Sequence, residues 1–570
     1  MALGILEDTH LDHVPGTTFI LDAETSSTEQ DASSPTLKYD RSGPVPIILV
    51  PQPSDDPNDP LNWPLWKRDL ILAILSLVSV LCATTSPLLA ANTATIAVDY
   101  RVSFTKAALL TGYHLLGVGV AGLLFVPSAR VWGKRHLYIL GNVIMIFSSA
   151  WGGASRNSYG SLLAARVFQG IGLAPFEALV NASVGDLFYV HERGKRMALS
   201  NVALFGGCFL TPVIVGKLTE SMGWEWTFYF LAIFSGVSLP FMVFFVPETA
   251  FRRAAHLNTD FEGDSDRVHL PMPASAPGAS KENGKPEQAV ASNGHTNRPE
   301  DEEKSHESAV QSSNPPQKAT LLQSIKLFNG RKTDENFWTL FLRPFPLFFH
   351  PGILWACLIQ GILIGWTVFI GVVLAAIYLG PPLWFTEVET GYLYTGAFVG
   401  SILGLILSGL LADWSANLMI KWNGGKYEPE FRIVLVAFQL VFSSIGLYGF
   451  AFASSDVVKY GYVVADVFFM FVIIGMVMGA VATALYIVDA HRQIAVEAFT
   501  CLLVFKNIFS FILTYFAYDW VVGTEPKTVF LIIASIQVGV CLLSIPMYVF
   551  GKRNRSYFHR NDILKRLGLW

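Results

Sequence analysis

Residues 70–91 read LILAILSLVSVLCATTSPLLAA, a run without a single Asp, Glu, Lys or Arg. A helix needs about 20 mostly apolar residues to cross a bilayer, and this stretch supplies them. Eleven further windows repeat the pattern, at roughly 105–127, 137–155, 160–183, 198–216, 225–246, 353–380, 391–411, 433–453, 461–488, 497–518 and 528–550. Composition agrees. Of 570 residues, 52% are hydrophobic and only 15% charged, against about 25% charged in soluble domains, and the mean hydropathy is +0.44. A soluble multidomain enzyme is excluded. The net charge of −4 offers no basic field for nucleic acid. Cys82, Cys208, Cys357, Cys501 and Cys541 lie far apart in apolar runs with no CxxC pair, so neither a disulfide framework nor a zinc site is expected. No His-rich cluster, GxSxG triad or P-loop is present, so the expectation is no enzyme, no metal and no cofactor. The fold class is an all-α membrane protein of twelve transmembrane helices in two six-helix bundles.

Between the sixth and seventh windows lies a polar break, which divides the chain. Residues 1–68 form an acidic tail, with eleven Asp/Glu against two Lys/Arg in 1–60. It has no basic segment ahead of an apolar core, so no signal peptide is expected, and its composition predicts disorder. Residues 69–250 carry the first six spans, 251–350 the linker, 351–550 the second six, and 551–570 a basic tail. The linker's middle, 254–318, is rich in Ser, Pro, Asn and Glu and cannot bury a core. The amphipathic LLQSIKLFNGRKTDENFWTLF that follows predicts an interfacial helix near 320–342. Deleting 265–295 is expected to leave activity within a few-fold, because a flexible chain of about 30 residues still reaches ~30 Å. Loss of activity at normal surface levels is the outcome that contradicts it.

Positive charge sets the orientation. With both termini inside, the inner loops and tail hold sixteen Lys/Arg: Arg130, Lys134, Arg135, Arg193, Lys195, Arg196, Lys421, Lys426, Arg432, Arg492, Lys552, Arg553, Arg555, Arg560, Lys565 and Arg566. The outer side holds six: Arg101, Lys106, Arg156, Lys217, Lys459 and Lys527. Both termini are therefore expected in the cytoplasm. The halves also echo each other. GLLFVPSARVWGKR (122–135) follows the second window and GLILSGLLADWS (404–415) the eighth, as a duplicated six-helix unit predicts.

Several motifs carry a family resemblance. Ahead of the first span stands DPNDPLNWPLWKR, with Asp59, Pro60, Asn62, Trp63, Pro64, Trp66 and Lys67. ARVFQGIG (165–172) lies in span four, GDLFYVHERGKRMA (185–198) follows it, GGCFLTPVIVG (206–216) lies in span five, and Pro247-Glu248-Thr249 closes span six. With these the chain resembles the major facilitator superfamily, and more narrowly the fungal twelve-span drug:proton antiporters. GKYEPEFR (425–432), YIVDAHR (486–492) and FKN (505–507) resemble the branch that includes polyamine and organic-cation carriers. The resemblance implies the major facilitator fold, a central cavity and alternating access. Two places depart from the family pattern. Where Asp-x-x-Gly-Arg-Arg is usual after span two, this chain has Arg130-Val131-Trp132-Gly133-Lys134-Arg135, and where Gly-Pro-x-x-Gly-Gly is usual it has Thr211-Pro212-Val213-Ile214-Val215-Gly216.

Ionisable groups at membrane depth are costly, which makes them functional candidates. Arg166, Gly170, Leu173, Glu177 and Asn181 share one stripe of span four, with Arg166 and Glu177 about 16 Å apart along it. Lys506 lies near mid-membrane in span eleven beside Asn507, too deep to snorkel, so it has to meet a carboxylate, carbonyls or water. His114, in span two, titrates in a range suited to proton coupling. With Gln169 of the span-four motif these form the candidate substrate and proton cavity. Arg166 also reads as a structural bundle ion, Glu177 as a helix-end carboxylate and His114 as a packing residue. Asp466 reads as a solvated group at the outer end of span ten. Arg130, Gly133, Lys134, Arg135 and Glu497 form the candidate inner gate, with Arg130 and Glu497 a latch made in the outward-open state and broken in the inward-open one. Exchanging those two charges is expected to restore what either reversal alone loses.

The expected function is proton-coupled export of a drug or secondary metabolite. Uptake of an organic cation such as a polyamine is the alternative, and a non-transporting sensor on the same fold the third reading. The expected partners are a small organic solute, protons and the lipid bilayer, without nucleic acid, for a monomer in the plasma membrane or, alternatively, the vacuolar membrane.

Overall fold

A computed structural model describes residues 3–8, 10–11, 14–19, 38–40, 47–49, 51–253, 318–379 and 383–569. The twelve long helices are α1 Leu65–Ala83, α2 Phe104–Trp132, α3 Arg135–Ala154, α4 Tyr159–Leu187, α5 Val190–Met222, α6 Glu225–Phe245, α7 Pro351–Tyr378, α8 Thr395–Trp422, α9 Leu435–Ser455, α10 Tyr462–Ala490, α11 Ala495–Gly523 and α12 Pro526–Leu542. A thirteenth, α13 Ser544–Arg560, carries α12 onward. Eleven stretches among the described residues are long and apolar enough to cross a membrane. α1 is not among them, since Lys67, Arg68 and Asp69 stand near its start; with it the long helices number the twelve expected. Helices are forced here because hydrocarbon offers no partner for backbone N–H and C=O groups.

Each half has its own apolar core. Leu75, Met145, Phe176 and Leu231 belong to the first, and Ile359, Phe369, Phe450 and Phe530 to the second. Inside the first half α2 and α4 nearly touch. A Cβ at Gly170 would collide with the carbonyl of His114, so only glycine permits this approach. The halves meet along α2 and α11, where Phe104 stacks on Tyr518 at 4.7 Å between ring centres and Tyr113 lies 5.4 Å from Phe511.

Both tails lie on one face, called here the tail face. Three expectations change. The first window ends as a helix at Ala83, and turns carry the chain past Pro87 to Asn92. The interfacial helix near 320–342 is two short pieces, Leu321–Ile325 and Phe337–Leu342. Asn329-Gly330, with Gly330 at φ +78, breaks it between them. The acidic tail, expected disordered, is folded in its described parts. Ile5 and Val14 are buried, and Thr18–Phe19 pairs antiparallel with Lys426–Tyr427. The basic tail is tied down as well: Lys552 meets Glu7 at 2.5 Å and Glu428 at 2.9 Å, and Arg555 meets Glu428 at 3.0 Å and Glu430 at 2.8 Å. The expected disorder over 254–318, and with it the 265–295 deletion, lies outside the described residues except at Lys318.

Asp59 explains why DPNDP precedes α1. Its carboxylate accepts from the Leu61 N–H at 3.1 Å, from the Ser54 N–H at 3.1 Å, and pairs with Arg253 at 2.7 Å, tying the entry of the first half to its exit. Burial pushes its acidity toward the neutral form, but Arg253 and the two N–H groups outweigh it and hold the carboxyl below its ordinary value. Its stabilising contribution is therefore complete above the unfolded-state value and lost as pH falls through the lower folded one. Asp59→Asn leaves Arg253 uncompensated and is expected to cost about 3 kcal/mol, read as a lower melting temperature of the detergent-solubilised protein. An unchanged melt contradicts it.

Candidate functional site

Glu177 on α4 and Lys506 on α11 form a direct ion pair, one residue from each half. Their side chains are 14% and 15% exposed. The lysine that cannot snorkel finds its carboxylate across the seam. Asn507, beside it, is buried and donates to the Leu503 carbonyl at 2.9 Å, within its own helix.

The rest of the expected cavity set is arranged differently. Arg166 is fully buried. It donates to the carbonyls of Thr85 at 2.7 Å, Leu110 at 3.4 Å and Ser86 at 3.4 Å, and to Gln169 Oε1 at 2.9 Å. Gln169 passes the network to Ser149 at 3.0 Å. His114 is buried beside Thr85 Oγ1 (3.3 Å), Ser86 Oγ (3.2 Å) and the Arg166 carbonyl (3.3 Å). As placed, Arg166, Gln169 and His114 hold the unwound end of α1 against α2 and α4, away from Glu177. Asn181 is exposed and joins α4 to α5 through Asn201 (3.0 Å) and Ser200 (2.7 Å). The span-four stripe thus runs from buried at Arg166 to exposed at Asn181. Asp466 is not a solvated loop group: it accepts from the Gly396 N–H at 3.0 Å, at the start of α8.

At the tail face Arg130 meets Glu497 directly. The other expected gate residues fasten the first half to itself. Gly133 ends α2 at φ +93, and a Cβ there would strike the Glu248 carboxylate. That carboxylate accepts from the Lys134 N–H at 2.9 Å and the Arg135 N–H at 3.1 Å, capping α3 with negative charge as a helix N-terminus favours. Lys134 pairs with Asp186 at 2.6 Å, and Arg135 holds the Val246 and Val243 carbonyls. The second half repeats the device, with Arg432 after α8 pairing with Asp489 at the end of α10 at 3.1 Å. The two corresponding pairs bear out a duplicated unit better than the short sequence echo did.

Two partners of the Arg130–Glu497 pair escaped the sequence reading. Glu335 and Arg343 come from the linker's end. Arg343 lies 2.7 Å from Glu335 and 3.4 Å from Glu497, while Arg130 lies 3.4 Å from Glu335. The signal available was two charges at the ends of the aromatic-rich ENFWTLFLR, but nothing in its spacing names their partners. The expected Arg130–Glu497 contact is present. It is made here while the far face is packed too, with Thr95 bonded to Glu387 and Thr105 donating to Asp519 at 3.0 Å.

The model of the Major Facilitator Superfamily matches residues 72–499, and the chain belongs to that family. It is a multi-pass membrane protein and a secondary active transporter of the alternating-access fold, not an enzyme. Among relatives, it is 25% identical over 574 residues to Protein HOL1 of Saccharomyces cerevisiae, covering 97% of each chain. It is 28% identical over 211 residues to the multidrug transporter FLU1 of Candida albicans, covering 36% of this chain and 34% of that one. The fold is similar to the Escherichia coli xylose transporter XylE in a partially occluded inward-open conformation, with TM-score 0.53 and 13% identity over 85% of this chain and 97% of that one.

Proposed function

We propose that the chain exports a small organic solute in exchange for protons, with Glu177 carrying the proton and Lys506 serving as its counter-ion. The observation that supports this reading is the Glu177–Lys506 pair, made between the two halves. Rocking of the halves has to separate it. Protonating Glu177 removes one charge and frees Lys506, so proton loading and the conformational change become one event. The multidrug name of FLU1 and that of a trichosetin biosynthesis cluster transporter, 27% identical over 217 residues, support export of drug-like or secondary-metabolite cargo. Cytoplasmic termini fit the Lys/Arg distribution.

A second reading, uptake of an organic cation, has its own support. A carboxylate neutralised by a compact ammonium is a place that a cargo ammonium can take over. One experiment separates the two. In a strain lacking the gene, export predicts lost resistance to members of a panel of toxic lipophiles with unchanged accumulation of labelled polyamine. Uptake predicts the reverse. If neither changes on deletion or overexpression, the transport proposal fails for these cargo classes.

A further inference from the structure

The geometry points to Arg343, delivered by the segment that joins the two halves, as the second cation of the Arg130–Glu497 gate: the gate is a ring of four charges, not a pair. This rests on reading Arg130–Glu497 as a gate at all. Around the ring, each carboxylate faces both guanidiniums. Glu497 meets Arg130 directly and Arg343 at 3.4 Å, and Glu335 meets Arg343 at 2.7 Å and Arg130 at 3.4 Å. The linker-borne cation is the buried one. Arg343 and Glu497 side chains are 3% and 4% exposed, whereas Arg130 and Glu335 are each 33% exposed. Exposed ion pairs contribute little, while removing one partner of a buried pair leaves an uncompensated charge. Arg343 is therefore no spectator of the Arg130–Glu497 contact.

The linker's end is seated on both halves, so the ring cannot form without it. On the first half the Lys332 N–H donates to the Val131 carbonyl at 2.8 Å, and Phe337 lies 5.7 Å from Trp132. On the second, the Pro344 carbonyl accepts from Cys501 at 3.2 Å, and Arg343 donates to the Leu569 carbonyl at 2.7 Å. Motion of α2 against α11 has to drag this segment or tear it from one side. The linker's end thus reports and controls the gate.

A specific consequence overturns the simple charge exchange expected from the pair alone. In Arg130→Glu/Glu497→Arg, the new arginine faces Arg343 and the new glutamate faces Glu335. Both contacts are like-charged. The exchange therefore does not restore the gate, whereas adding Glu335→Gln and Arg343→Gln removes both repulsions and lets the inverted pair close.

The test is double electron–electron resonance on the full-length protein in lipid nanodiscs. Spin labels go at Leu199→Cys on α5 and Val488→Cys on α10, both exposed, with the half-buried Cys208 changed to Ser. Single Arg130→Gln, Arg343→Gln and Glu497→Gln changes are expected to raise the population with separated tail-face ends about ten-fold. Arg343→Lys, which keeps the charge, holds it near wild type. The two-residue exchange stays shifted and the four-residue variant returns to within about three-fold of wild type. Melting curves of every variant exclude unfolding as the cause of a shift. Recovery by the two-residue exchange alone, or no shift with Arg343→Gln beside a clear shift with Arg130→Gln, overturns the ring and leaves the pair standing. No shift with Arg130→Gln or Glu497→Gln overturns the gate reading itself.

Discussion

Replacing Glu177 by Gln is expected to leave the protein folded and in the membrane while reducing pH-gradient-driven transport about a hundredfold or more. The magnitude follows from the pair it makes with Lys506 between the halves. Two unit charges about 4 Å apart attract by about 4 kcal/mol at an effective dielectric of 20. Protonating the carboxylate removes that term, which is close to a thousandfold on the equilibrium between joined and separated halves at about 1.4 kcal/mol per decade. Gln keeps the shape and one hydrogen-bond acceptor but has no proton to load or release. The variant's halves can therefore separate at any pH, and the conformational change no longer consults the gradient. Exchange of labelled for unlabelled solute, which needs no net proton movement, survives better than gradient-driven accumulation. The measurement is accumulation in inside-out vesicles with and without an imposed pH gradient, using a solute found by the deletion screen. Full gradient-driven transport by Glu177→Gln removes this residue from the mechanism.

The polytopic fold was legible, and so was the need of Lys506 for a partner, left open among a carboxylate, carbonyls and water, because a charge in hydrocarbon is rare and has to be matched. Once twelve apolar windows are laid out, Lys506 has few carboxylates at its depth, and Glu177 is one of them. Arg130 and Glu497 were legible for a similar reason, each standing at the same end of a span. What the sequence hid are contacts whose partners lie in segments that read as solvated loop. Glu7 pairs with Lys552 and Thr17 with Glu428, hundreds of residues away. Neither end has a periodicity that betrays the other. Arg343 was hidden by helical patterning, since the amphipathic reading of 320–342 assigned its neighbourhood to the membrane surface. The direction of Arg166 was hidden as well. Its stripe is right for a cavity, but the turns after Ala83 present bare carbonyls at Thr85 and Ser86, and a guanidinium with five donors satisfies itself there.

Lys506→Ala is expected to damage the protein in two separable ways, and Lys506→Arg in only one. Truncation leaves the Glu177 charge without its partner at a site where only about a seventh of the side chain is exposed. That costs about 3 kcal/mol, the low end for a broken buried pair, and shows as a lower melting temperature. It also removes the group that Glu177 exchanges for a proton, so gradient-driven transport falls with it. Arg keeps the charge, so stability is largely retained. Its planar fork is wider than an ammonium and has to fit where Gly361 already packs against Phe505 and the Lys506 backbone, so transport is slowed without being abolished. The double variant Glu177→Gln/Lys506→Gln separates the two roles. Neutralising both partners removes the uncompensated charge, and replacing a paired couple by neutral groups is often neutral for stability. Its melting temperature should therefore recover most of what Lys506→Ala loses, while its transport stays blind to pH. A double variant that regains both stability and gradient-driven transport makes the pair a structural strut, and a Lys506→Ala protein that transports at the normal rate makes it neither.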